Sequence, residues 1–175
     1  LRNLALVAFG FLLLLVETTG AALLPIHPWW PSTLLAVVIY LGVSQEVPLL
    51  RGAALSFVFG YLMDSFCGSP MGLETFVTVA TFMLARAVRL RLLLRGTLFQ
   101  VFMTFIITSL AGGTTLALRA IFERNEPFPL TDARPSLFAI FAPAVTTALL
   151  APFLFTIAQR IDALARRRTA EEAVL

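Results

Sequence analysis

Long uncharged runs of Leu, Val, Ala and Phe recur from one end of this chain to the other, closed off by Pro, Gly and Arg. A transmembrane helix needs about 20 apolar residues, and continuous runs of this kind lack the alternation of a membrane β-barrel strand. With 59% hydrophobic and 13% charged residues in 175, there is too little polar surface for a water-soluble globular domain. The expectation is an all-α integral membrane protein, a single six-span domain over residues 1–175.

The punctuation divides the chain into spans at about Asn3–Leu24, Trp30–Gln45, Leu49–Phe66, Met71–Val88, Thr97–Leu118 and Leu137–Ala158. The second is short and relies on Trp29 and Trp30 as interfacial anchors. Gly68-Ser69-Pro70 reads as a helix stop, a cap and a first turn. Gly112-Gly113 marks a close-packing or bending point in the fifth span, and Pro143 and Pro152 interrupt the sixth. The longest loop is expected over Arg119–Ser136. An Arg-rich tail at about 159–175 reads as a helical extension near anionic lipid.

All thirteen basic residues are arginines, and their placement sets an orientation. With the N-terminus in the cytoplasm, that side collects Arg2, Arg51, Arg86, Arg89, Arg91, Arg95, Arg160, Arg166, Arg167 and Arg168. The opposite side receives only Arg119, Arg124 and Arg134. This is a positive-inside bias, with both termini cytoplasmic. The net charge of +3 therefore reflects topology and lipid contact, with no nucleic acid implied.

Within the third span Gly52, Ser56, Gly60 and Asp64 recur every four residues, and Gly68 and Gly72 continue the count. Such a stripe lets another backbone approach closely. For Gly52 and Ser56 the favoured partner is one of the chain's own helices.

Glu17, Asp64 and Glu74 fall at comparable depth near the outer ends of three spans. Intramembrane acids need partners. One reading is a site for a proton, a cation or a cationic substrate. The other is structural, with the acids bonded to helix ends or paired with Arg119. Catalytic chemistry finds no support: the one His, His27, sits in a Pro-Trp turn with nothing nearby to orient it. One Cys and one His cannot supply a four-ligand zinc site, and phosphate-loop motifs are absent. No enzyme, cofactor or metal is expected.

Gly60-Tyr61-Leu62-Met63-Asp64 followed by Gly68-Ser69-Pro70-Met71-Gly72-Leu73, in a six-span chain with Pro31 leading into the second span, resembles the rod shape-determining MreD family. The matching positions are Gly60, Asp64, Gly72 and Leu73. The resemblance implies a non-enzymatic component of the bacterial cell-elongation machinery in the inner membrane. Its implied partners are a bitopic MreC-like protein, MreB, RodA and a penicillin-binding transpeptidase, in peptidoglycan synthesis. It also implies a fold similar to the substrate-binding subunits of energy-coupling-factor vitamin transporters. Such a subunit is the main alternative, and a small cation-coupled carrier is another. The transporter subunits' Ala-x-x-x-Ala docking pattern is missing, since Ala5 is followed four residues later by Phe9 and Ala8 by Leu12.

Overall fold

The computed structural model describes residues 2–23, 29–44, 47–67, 71–91, 96–122 and 133–172. Within them the chain is all helical: α1 (Arg2–Leu23), α2 (Thr33–Val43), α3 (Leu49–Cys67), α4 (Leu73–Arg91), α5 (Thr97–Phe122) and α6 (Ala133–Glu172). Three segments are long and apolar enough to cross a membrane: Leu49–Phe66, Thr97–Phe122 and Leu137–Ile161. The apolar part of α1, Leu6–Gly20, and the whole of α2 are shorter. α4 carries Glu74, Arg86, Arg89 and Arg91 along its 19 residues.

The architecture is built around α2. Its sequence, TLLAVVIYLGV, is apolar on every side, and every residue from Leu34 to Gly42 is buried. A helix of that kind needs cover all round, and α2 packs against each of the other five helices. The main core joins Leu34, Val37, Val38, Ile39 and Leu41 of α2 to Leu6 and Leu14 of α1, Phe59 of α3, Phe82 of α4 and Phe155 of α6. The bounds expected for the second span, Trp30–Gln45, narrow to a helix over Thr33–Val43. It has 11 residues, about 16 Å at 1.5 Å per residue, roughly half the hydrocarbon thickness. Trp29 and Trp30 precede the helix rather than extend it.

Three further expectations change. α5 continues through Arg119 to Phe122, so that arginine belongs to a helix end, outside any loop. A Cβ on Gly112 would make only ordinary contact with Ile140, at 3.6 Å, and one on Gly113 would touch nothing within 4 Å. Neither glycine is a close-packing point, and α5 runs unbroken past both. α6 is likewise continuous for 40 residues through Pro143 and Pro152, since a membrane helix tolerates the loss of single backbone bonds. The tail backbone continues α6 to Glu172, the helical extension expected of it.

Candidate functional site

The four-residue stripe of α3 is the seam against α4. A Cβ on Gly52 would overlap the Phe82 ring, and one on Gly60 would overlap Thr78 Oγ1 and Thr75 Cα and approach the Glu74 carbonyl oxygen to 3.0 Å. Between them Ser56, fully buried, turns its hydroxyl back to the Gly52 carbonyl at 2.8 Å. With no side chain at Gly60, the two backbones come together.

That approach delivers Asp64, only 4% exposed, to the start of α4. Its Oδ1 accepts the Glu74 N–H at 2.9 Å. Its Oδ2 accepts three bonds, from the Gly72 N–H at 2.9 Å, the Thr75 N–H at 3.1 Å and the Thr75 hydroxyl at 2.5 Å. The orphan donors of a helix N-terminus are met here by a carboxylate of the preceding helix, and its charge also suits the helix dipole. Gly72 has φ +97°, a left-handed backbone that glycine adopts without steric cost. Leu73 then buries against Leu35, Val77 and Ala111. The cap is therefore non-local, and α4 begins two residues later than the sequence suggested. Gly68, Ser69 and Pro70 lie outside the described residues.

Glu17 does a related job for α2. Its Oε2 accepts the Thr33 hydroxyl at 2.9 Å and the Leu34 N–H at 3.3 Å. Ser32, the residue before α2, makes no side-chain cap and instead donates its N–H to Thr147 of α6 at 2.9 Å. Glu74 is buried on α4 with Arg119 of α5 at 3.8 Å. Glu17 and Glu74 are near enough for their charges to interact. The three acids thus share one end of the bundle, two as helix caps and one facing an arginine.

The opposite end is held by arginines. Arg86 donates to the Val47 carbonyl at 2.7 Å and Arg89 to the Ser44 carbonyl at 2.9 Å, covering the turn between α2 and α3. These two side chains, named for topology and lipid contact, also bond to the protein's own backbone. Close by, α2 and α4 approach at Gly42, where a Cβ would lie 2.6 Å from the Ala85 Cβ and 2.9 Å from the Phe82 carbonyl. The side chains of Arg91, Arg166, Arg167 and Arg168, together with Arg95 and His27, lie outside the described residues. Trp29 is exposed and meets Phe138 edge-on at 5.4 Å, while Trp30 packs over Gly20 of α1.

Chemically, Asp64 has both oxygens occupied by four donors and is badly placed to carry a proton or bind a cation. Glu74 and Arg119 keep more freedom, since Arg119 is 41% exposed. Among the described residues no group of three or more His, Cys, Asp or Glu side chains is arranged to hold a metal ion. Sequence reasoning missed Thr33, Thr75 and Thr147, each of which bonds across helices. The signal available was an acid near the end of one helix. No protein-family model, curated protein or solved structure matches this chain.

Proposed function

We propose that this chain is a non-enzymatic six-span scaffold of the bacterial inner membrane, both termini cytoplasmic, serving the cell-elongation and peptidoglycan-synthesis machinery as MreD-like proteins do. Its mechanism is binding. It holds the single transmembrane helix of an MreC-like partner in the membrane plane and so acts alongside MreB, RodA and a penicillin-binding transpeptidase. The observation that carries the reading is the α3–α4 hairpin. The four positions behind the family resemblance are mechanically linked: Gly60 admits the α4 backbone, Asp64 caps it, Gly72 makes the turn and Leu73 enters the core. Such a motif supports a protein whose shape, rather than a reacting group, is its working part.

Two further features favour it. The polar side chains at both ends of the bundle are largely engaged in holding helix ends, and the outside is apolar and aromatic, as at Phe57, Tyr61 and Phe66 of α3. Lipid gives helices little hydrophobic reason to associate, so a partner helix would be held by packing and a few polar contacts. The arginine bias supports the orientation, and anionic lipid would meet the cytoplasmic arginines.

A second reading rests on Glu74 and Arg119 beside Glu17: a substrate-binding subunit of an energy-coupling-factor-type vitamin transporter, or a small cation-coupled carrier. Affinity purification of the tagged chain from native membranes separates the readings. Recovery of a bitopic MreC-like protein is expected. Recovery of cytoplasmic ATPases with a membrane coupling subunit would replace the scaffold with the transporter.

A further inference from the structure

Hydroxyl side chains on these helices mostly look after themselves. Thr18, Ser56, Ser65, Thr78, Thr114 and Thr156 each donate to the carbonyl four residues earlier. Thr104 and Thr108 of α5 do not. Thr104 is 0% exposed and Thr108 4%, and among the described residues neither hydroxyl makes a hydrogen bond. Both belong to the buried stripe Met103, Thr104, Ile107, Thr108 and Ala111 that α5 turns inward. Met103 and Ile107 of that stripe are part of the main core. An unmet hydroxyl in so apolar a setting is costly, and buried polar groups are almost always bonded.

We propose that Thr104 and Thr108 hold a buried water molecule between α5 and the core of the bundle. Residues four apart on a helix have Cβ atoms about 5–6 Å apart. Hydroxyl oxygens borne on such a pair can lean to about 4.5 Å apart, the separation that a water spans with two bonds of about 2.7–2.8 Å at a tetrahedral angle, and the water keeps further bonding capacity for a backbone carbonyl. The closed surroundings select the occupant. Neither hydroxyl is reachable by a lipid headgroup or by another chain's helix.

The test is X-ray radiolytic labelling of the whole chain in lipid nanodiscs, in which bound water generates hydroxyl radicals in place. Met103 and Ile107, 6% and 2% exposed, are expected to be oxidised severalfold more than Phe59 and Phe82, both 0% exposed. That excess is expected to disappear in the Thr104→Val/Thr108→Val variant and to survive in Thr104→Ser/Thr108→Ser. Labelling of Met103 and Ile107 no greater than that of Phe59 and Phe82 in the unmodified chain would overturn the proposal without reference to any variant. An excess that persisted undiminished in a folded double-valine variant would overturn it as well.

Discussion

Removing the carboxylate of Asp64 is the sharpest perturbation the hairpin offers. In Asp64→Leu, the N–H groups of Gly72, Glu74 and Thr75 and the hydroxyl of Thr75 lose their acceptor together, at a site where Asp64 is 4% exposed. Each stranded donor costs about 1–3 kcal/mol when buried. Partial relaxation brings the total to about 3–5 kcal/mol, the range reached when a buried network is broken.

Asp64→Asn behaves differently because the two oxygens carry unequal loads. The amide oxygen can take the position of Oδ2 and keep three bonds. The amide nitrogen then faces the Glu74 N–H, and one bond is lost at about 1–2 kcal/mol. At about 2–4 °C per kcal/mol for a chain of this size, the expected fall in Tm is about 2–8 °C for Asn and about 6–20 °C for Leu. Thermal unfolding in one detergent, followed by circular dichroism, measures both. Equal shifts for the two variants, or an Asp64→Leu shift below about 2 °C, would refute the capping argument.

Three other variants test the packing of the bundle. Gly60→Ala is expected to destabilise by about 1–3 kcal/mol, because its Cβ meets α4 backbone that cannot turn aside. Gly113→Ala, opening onto free space, should gain about 0.5–1 kcal/mol from helix propensity, and paired melts that ranked the two the other way would contradict the seam. Arg86→Met leaves the Val47 carbonyl without the donor now 2.7 Å away, and should lower stability by about 1 kcal/mol in the same melts. An unchanged Tm there would mean that water replaces the guanidinium.

Much of the hairpin was legible in the residues themselves. Small residues every four positions on α3 announce a close approach, and an acid at the end of that stripe announces a need for donors. What stayed hidden was the partner. The seam extends all the way from Gly52 to Asp64 along one neighbour, α4, because a stripe in the sequence names a face and not the helix that fills it. The three acids looked alike as intramembrane carboxylates. Only their surroundings divide them into two caps and one arginine-facing group. Arg86 and Arg89 read as topology signals in the same way, since charge near a helix end is visible in sequence while the carbonyl it reaches, some 40 positions away, is not.

The sequence by itself determined that this chain is helical and apolar, where most helices begin and end, and which of its residues are small or charged at those ends. These properties depend on local composition and spacing, which neighbours along the chain supply. Tertiary structure alone decided that the shortest apolar run is the centre of the bundle, that Asp64 and Glu17 cap helices other than their own, and that Thr104 and Thr108 face inward with no acceptor among the described residues. Those outcomes turn on which helices pack together, and packing is a property of all six at once.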